Sequence, residues 1–442
     1  MLRINYKTIL KVALPLMAGT FIQSIVMITD ASILSRYSTL SFDASGNAGL
    51  IFITLFMALS GLGDAAQIIM ARRVGESKRE TVNGVLQSSF LINLVLGVIF
   101  FLMVIFGIPS MLFSYSKNLD IANEQVQFLN IRSIGFFLAA FILSLNAFFM
   151  AIGKTWVILL TTLIFAISNI ALDFLLVFGY WNIPAMGIEG AALASVISEG
   201  IALVMLFIFL FYSPERNDFK LFRQLEIKKV FLKHLSRVGT PLVIQGFFAL
   251  ATWTVFFTWI EQLGTYELTV SQNIRSIYFL AFVPIFGFAA TTKTYVAQYM
   301  SENNSQKINI IIRRIQFLIL LFLILFFHGA LLYPNQLILM INPKEIYLED
   351  SANILRLIFG SILLFGLSTP LFQTINGSGN TRITLIIEII SISLYMVFAF
   401  LFIKIWEWPI FKIWTVEYIY FGSLGLFSLL YLRFFNWKKK VF

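Results

Sequence analysis

Long apolar stretches alternate with short polar breaks along the whole chain. Each stretch is about twenty residues or longer, which is enough for a helix to cross the hydrocarbon core of a bilayer. Because lipid cannot hydrogen-bond to the backbone, such stretches must form helices or closed barrels, and stretches without alternation indicate helices. The pattern predicts twelve transmembrane helices, at 8–35, 47–71, 84–108, 126–151, 156–180, 188–212, 236–260, 268–297, 310–332, 352–375, 382–404 and 415–435.

Composition agrees with an all-α polytopic membrane protein. Of the 442 residues, 59% are hydrophobic and only 12% are charged, about half the charged share of a globular protein. The mean hydropathy is +0.87. The chain has no cysteine, which excludes disulfides, thiolate nucleophiles and iron–sulfur sites. The first apolar stretch continues past Ile28 without a cleavage site, so we expect a first span rather than a removed signal peptide.

The positive charge, +10 overall, is distributed unevenly between the two sides of the membrane. Most Lys and Arg residues lie at the two ends of the chain, up to Lys439 and Lys440, and in the loops that follow even-numbered spans, such as 72–79 and 216–237. Basic loops remain in the cytoplasm. The pattern therefore predicts a multi-pass protein of the cell membrane with both termini cytoplasmic. Topology explains the charge, and no nucleic-acid partner is expected.

The two halves of the sequence resemble each other at a shift of about 226 residues. The matched pairs are Pro15 with Pro241, Asn47 with Asn273, Gly61 with Gly287, and Gly153 with Gly379. Six spans in each half would insert with the same orientation, which gives a parallel pseudo-two-fold repeat. We predict an N-terminal six-helix lobe at 1–213, a basic cytoplasmic linker at 214–235 and a C-terminal six-helix lobe at 236–442. Two such lobes can rock in alternating access, although a static bundle is the alternative.

Several motifs in order resemble the multidrug and toxic compound extrusion (MATE) family. They are the stretch from Leu14-Pro15-Leu16 to Asp30, Gly61-Leu62-Gly63 with the segment 71–76, the turn at 150–155, the segment 169–179 and the segment 187–194. The resemblance implies a V-shaped molecule with two six-helix lobes, acting as a monomeric antiporter that exports mostly cationic drugs against protons or sodium. Some members carry acidic residues in helices seven and ten. Here span seven has no carboxylate before Glu261 and span ten has none between Gly360 and Ile375, so we expect ion coupling in the first lobe.

Ionisable residues inside spans are functional candidates because a charge in hydrocarbon is costly. Asp30 and Asp173 are predicted at similar depth, and Asn169 lies one helical turn before Asp173 on the same face. Glu199 is predicted nearer the midplane. We interpret these four residues as a proton- or sodium-coupling site. A hydrogen-bonded structural brace, with Glu199 held by nearby serines, is the alternative.

Three further residues are the basis of hypotheses about conformational change. Asp64 and Lys293 occupy nearly matched repeat positions at the cytoplasmic ends of their spans, so we hypothesise that they pair as an inner gate. Lys293 could instead reach the headgroups. Pro15 removes a helical hydrogen bond and could allow the first span to bend when Asp30 is protonated. A proline tolerated in an early turn is the alternative.

The substrate cleft is the least defined feature. Trp253 is a candidate for binding flat organic cations through cation–π attraction, and Glu388 is a candidate charge in the same cleft. His234 and His328 have no neighbours typical of a metal site, so we expect no cofactor and no metal beyond a coupling sodium ion. No polar catalytic cluster indicates an enzyme.

Together these patterns predict a secondary active exporter whose partners are a small organic substrate and the lipid bilayer. Two alternatives remain open. One is a flippase for lipid-linked oligosaccharides or another lipid, which shares the broader fold and would favour an arginine-lined cavity. The other is a receptor or structural membrane protein that does not transport.

Overall fold

The computed structural model describes residues 1–115, 119–180, 182–300 and 305–438, and this described part is helical with no strand. Within these ranges, eleven helices are long and apolar enough to cross a membrane. Leu119–Arg132 and Gly135–Ala151 pass the same test together, bent by 46° at a short break, and make a twelfth span if the pair is counted as one. The predicted all-α polytopic fold is confirmed. The terminal residues Lys439 and Lys440 lie outside the described residues.

The first half of the chain contains nine helices within the described ranges. They are α1 (Tyr6–Tyr37), α2 (Thr39–Gly75), α3 (Glu80–Leu102), α4 (Ile108–Tyr115), α5 (Leu119–Arg132), α6 (Gly135–Ala151), α7 (Thr155–Phe178), α8 (Gly187–Tyr212) and the short α9 (Glu215–Asp218). A π-helical turn at Met103–Gly107 joins α3 to α4. The third span is therefore longer than the predicted 84–108.

The second half contains another nine helices within the described ranges. They are α10 (Lys229–Glu261), α11 (Thr265–Tyr299), α12 (Ser305–Phe327), α13 (Gly329–Leu332), α14 (Pro334–Ile341), α15 (Leu348–Gly377), α16 (Thr381–Phe400), α17 (Ile410–Ile413) and α18 (Val416–Phe434). A 3-10 turn at Glu345–Tyr347 precedes α15, and a π-helical turn at Leu401–Ile405 extends α16.

Contacts divide the chain into two compact units whose boundaries fall inside helices. The N-unit is Leu14–Gly246, and the C-unit combines Met1–Ala13 with Phe247–Phe442. The chain therefore passes between units within α1 and again within α10. The predicted N-terminal lobe ends just after α8, whereas the predicted C-terminal lobe begins at residue 236, inside α10. The lobes as functional bodies stay a prediction.

The N-terminus and part of the predicted linker are each held by specific hydrogen bonds within one unit. In the C-unit, the Leu2 N–H donates to Gln298 Oε1 at 2.8 Å, and the Tyr299 hydroxyl donates to the Leu2 carbonyl at 2.7 Å. In the N-unit, part of the segment predicted as a linker is fixed to α3. The Phe222 N–H donates to Asn83 Oδ1 at 2.9 Å, and the Glu226 N–H donates to Gln87 Oε1 at 2.8 Å.

The internal repeat is visible in two helix-ending turns. Gly153 follows α6 and Gly379 follows α15, with φ of +76° and +89°. After Gly153, the Lys154 N–H donates back to the Phe149 carbonyl at 2.8 Å, and after Gly379 the Asn380 N–H donates to the Ile375 carbonyl at 3.3 Å. A left-handed residue just beyond a helix satisfies its last carbonyls, and glycine adopts that conformation without a steric cost. The same residue therefore ends the helix in both repeats.

Helices α7 and α8 of the N-unit pack closely where α8 carries a glycine. A methyl group added at Gly190 of α8 would lie 2.7 Å from the Leu176 carbonyl oxygen of α7. Such close approach of backbones stabilises helix pairs in lipid, where the hydrophobic effect does not drive association. Ile33 and Leu34 of α1 complete this region by packing with Val177 of α7. These contacts bring α1, α7 and α8 together.

Candidate coupling site

Three of the residues predicted to bind the coupling ion meet between α1 and α7. Asn169 and Asp173 lie one turn apart on α7 and are 0% and 1% exposed, whereas Asp30 of α1 is half-buried. The carboxyl groups of Asp30 and Asp173 interact with each other across the two helices. The packing of α1 on α7 just beyond them holds this arrangement in place. The structure thus brings together the three residues that the sequence placed at one depth.

Most polar side-chain atoms of these three residues have no hydrogen-bond partner within the part of the chain that the structure describes. Among the described residues, no hydrogen bond is made to Asp30 Oδ1, to either carboxyl oxygen of Asp173 or to the side-chain amide of Asn169. Buried polar groups in proteins are almost always hydrogen-bonded, and an exception needs an explanation. Two ionised carboxylates side by side also repel each other. A proton or a small cation between the aspartates would satisfy the oxygens and remove the repulsion.

Glu199 of α8, the fourth residue predicted for this site, forms an ion pair with Arg132. Its Oε1 is 2.5 Å from Nη2 and its Oε2 is 3.0 Å from Nη1, a two-point pairing that is strong and directional. The guanidinium also lies 3.9 Å over the ring of Phe52. Both charged side chains are only 12–13% exposed. Glu199 is therefore provided with a counter-charge, whereas the two aspartates face each other.

Arg132 was not singled out from the sequence, although it links these groups. It is the last residue of α5, at the break before α6. The sequence analysis predicted α5 and α6 together as one continuous span, 126–151. From the end of α5, Arg132 pairs with Glu199 and also attracts Asp30 electrostatically. A basic residue within a predicted span was the available signal, since such a charge requires an acidic partner. Which acid it would meet, 67 positions away, could not be read from the chain.

The remaining candidates of the N-unit, Pro15 and Asp64, lie on α1 and α2. Pro15 lies inside α1, just after the chain enters the N-unit. Asp64 is half-buried on α2. Its predicted gate partner, Lys293, is buried on α11 in the C-unit. The gate and the bending of α1 stay predictions.

The two cleft candidates, Trp253 and Glu388, both lie in the C-unit. Trp253 of α10 stacks on Tyr278 of α11, with ring centroids 6.2 Å apart. Glu388 of α16 is 5% exposed and accepts a 2.6 Å hydrogen bond from the Tyr420 hydroxyl. Close to both is Glu417 of α18, 2% exposed, which the sequence analysis overlooked because it begins a span. No group of three or more metal-binding side chains occurs in the described ranges.

Known proteins resemble this chain over nearly its whole length. The MatE family model matches it twice, at residues 15–175 and 241–401, so the second match begins and ends 226 residues after the first. A probable multidrug resistance protein NorM of Thermotoga maritima is 25% identical over 98% of this chain and 93% of its own length. A probable multidrug resistance protein YoeA of Bacillus subtilis is 22% identical, covering 96% and 93%.

Solved structures share the fold. A transporter of the MOP superfamily from Pyrococcus furiosus aligns with a TM-score of 0.85 at 21% identity, covering 96% of this chain and 93% of that one. A MATE crystal structure described as the straight conformation aligns with a TM-score of 0.86 at 20% identity, covering 96% and 94%. The two family matches agree with the internal repeat. The chain therefore belongs to the MatE family of multidrug efflux transporters, which are multi-pass membrane proteins and not a family of enzymes.

Proposed function

We propose that this transporter exports organic, mainly cationic, drug-like or toxic compounds from the cell in exchange for protons or sodium ions. It works as a monomer in the cell membrane with both termini in the cytoplasm, and its two lobes alternate between inward- and outward-open shapes. The observation that carries the proposal is the facing pair Asp30 and Asp173, with the unsatisfied amide of Asn169 beside it. The multidrug resistance names of the full-length relatives support the substrate class.

An ion bound between the two aspartates offsets the cost of burying their charge. A carboxylate that is removed from water and has no basic partner keeps its charge only at a cost of several kcal/mol. Binding a proton or a sodium ion removes that cost, so the occupied and empty sites favour different local packing. An ion gradient can drive a conformational change only through such a difference in binding between two states. The coupling ion thus acts on the contact between α1 and α7.

The test is uphill ethidium export by the purified protein in vesicles, with a pH gradient or a sodium gradient imposed separately. We expect Asp30→Asn and Asp173→Asn each to reduce gradient-driven export by at least about tenfold, equivalent to about 1.4 kcal/mol. Asp43→Asn is the matched control, because Asp43 is an exposed aspartate of the same unit, and it should export at the normal rate.

The outcomes separate the alternatives. Export driven by one gradient and lost in the variants supports an ion-coupled exporter and identifies its ion. If both aspartate variants pump at the normal rate, coupling at this site is wrong. Ion-independent movement of a lipid-linked oligosaccharide in the same vesicles, with no ethidium export, would instead favour the flippase.

A further inference from the structure

The connecting segment between α9 and α10, residues 219–228, forms one wall of a groove on the surface of the N-unit. Helices α3 and α6 form the other walls, and the groove has a volume of about 460 Å³. It follows α3 from Gln87 to Leu94, about two helical turns or roughly 10 Å. Most of its lining is apolar, and these side chains are Phe90, Leu91, Leu94, Phe141, Phe222 and Leu225.

Protein contacts alone hold the connecting segment against α3. The Gln224 carbonyl accepts hydrogen bonds from the side-chain amides of Gln87, at 2.9 Å, and Asn83, at 3.2 Å. The ring of Phe222 stacks on that of Phe90, with centroids 6.1 Å apart and planes inclined by 7°. The walls of the groove are therefore fixed before anything binds, which lowers the ordering cost of a ligand.

The groove opens towards lipid rather than water. Helix α3 belongs to one of the membrane-crossing helices, and most of its apolar stretch lies on the surface of the protein. In the connecting segment, Leu225 is 84% exposed and Ile227 is 41% exposed. Exposure of such large apolar side chains to water is unfavourable. It is typical of a segment that lies at the boundary between lipid headgroups and acyl chains.

Two exposed basic residues, Arg223 and Lys228, flank the lining residues 224–227. Within the described ranges, neither forms an ion pair. The Arg223 guanidinium donates to the neutral amide oxygen of Asn217 at 3.3 Å. The Lys228 ammonium lies over the ring of Phe231, 6.0 Å from its centroid. Both charges at the mouth of the groove thus lack an anionic partner from the described protein.

The acidic residues of this region do not neutralise the mouth of the groove. Glu215 forms an ion pair with Lys154, and Asp218 lies 3.9 Å from Arg79. Between residues 220 and 229 the chain carries four basic side chains and one acidic one, the half-buried Glu226. The mouth of the groove therefore has an excess of positive charge beside an apolar channel.

We propose that this groove binds an anionic phospholipid of the membrane, with an acyl chain along α3 and the phosphate beside Arg223 and Lys228. Guanidinium and ammonium groups are the usual partners of phosphate oxygens. Basic clusters beside a membrane span attract anionic lipids. A soluble phosphate would leave the apolar channel unfilled, and a zwitterionic lipid would leave the positive charge uncompensated. The lipid site is independent of the ion coupling proposed above.

The test measures which lipid occupies the groove, on the full-length protein in vesicles of phosphatidylcholine and phosphatidylglycerol. Because the chain has no cysteine, Val95→Cys provides a single position for a bimane label. Val95 is 52% exposed and lies one turn after Leu91 on α3. Lipids with brominated acyl chains quench a label that they contact. Quenching by brominated phosphatidylglycerol and by brominated phosphatidylcholine therefore gives the relative affinity of the two lipids at the groove.

We expect phosphatidylglycerol to be preferred at this label by at least about fivefold. Arg223→Gln with Lys228→Gln should reduce the preference to about one, whereas Arg223→Lys should retain most of it. Lys344→Gln with Lys412→Gln is the matched control, because it removes two exposed lysines of the C-unit, and it should leave the preference unchanged. If the parent protein shows no preference, or if the Arg223 and Lys228 pair keeps it, the proposal is overturned.

Two further measurements separate a site from a general attraction of anions to this basic protein. A label at Leu321→Cys, an exposed position at similar depth on α12, should show no preference, and an equal preference there would contradict a site at the groove. Glycerol phosphate, which has no acyl chain, should not relieve the quenching at Val95→Cys. If it does, the occupant is a soluble anion and the proposal is wrong. No readout requires export, so the lipid site and the proposed antiport can fail separately.

Discussion

The two units provide their intramembrane carboxyl groups with different partners. In the N-unit, Asp30 and Asp173 face each other, and no described hydroxyl or amide satisfies the oxygens of Asp173. In the C-unit, tyrosine hydroxyls donate to Glu388 and Glu417. Also in the N-unit, Glu199 is neutralised by Arg132. A salt bridge keeps a carboxylate ionised. A phenol donor stabilises a carboxylate without cancelling its charge, whereas two facing carboxyls that lack such donors need a proton or a small cation. The chemical partner therefore indicates which carboxyls can exchange ions.

The largest effect that tests this comparison is expected from Arg132→Met. It leaves Glu199 buried without its partner, and breaking such a pair destabilises a protein by about 3 kcal/mol. Adding Glu199→Gln should recover most of the loss, because no unpaired charge remains. Thermal unfolding in detergent micelles measures both variants. Equal stability of the single and double variants would show that the pair is not what stabilises this region.

A smaller effect, which differs between the two units, is expected when polar side chains beside the carboxyls are removed. Tyr420→Phe should destabilise the protein by about 1.5 kcal/mol, because Glu388 loses a charge-assisted hydrogen bond. Asn169→Ala removes an amide with no described partner, so it should cost little stability while weakening ion binding at the aspartates. Unfolding and ion-dependent proton release measure the two effects. Ser168→Ala is the control for Asn169, since its hydroxyl bonds only to backbone carbonyls of α7.

The smallest effect concerns Glu76, outside the membrane spans. Burial raises the pKa of Glu76, but hydrogen bonding and attraction by Lys78, Arg73 and Arg72 outweigh it, so the pKa lies below its usual value. The ionised carboxylate therefore stabilises the fold above its usual pKa, and this contribution is lost as pH falls through the lowered value. Glu76→Gln should lower stability by about 0.5 kcal/mol at neutral pH. Under acidic conditions the variant and the parent should unfold alike.

The sequence predicts the parts of the site that depend on residues close together in the chain, and it misses those that depend on distant residues. Asn169 and Asp173 could be paired on one face because they are a turn apart on a helix recognisable by its apolar pattern. Asp30 could be assigned to the same depth because both spans are bounded by polar residues. Arg132 could not be assigned to Glu199, since the two residues lie 67 positions apart on different helices and no local pattern relates them. The cluster around Glu417 was missed for a similar reason, because its donors come from three helices.

The sequence by itself determined the helical spans, their repeat and the positions of the intramembrane carboxyls, because hydropathy and helical periodicity are local properties of the chain. The tertiary structure alone decided which partner each carboxyl meets: Arg132 for Glu199, tyrosines for Glu388 and Glu417, and a second carboxyl for Asp30. Those partners differ because helix packing brings together side chains far apart in the chain. In a medium without water, the partner that packing supplies decides whether a charge is held fixed or left to bind an ion.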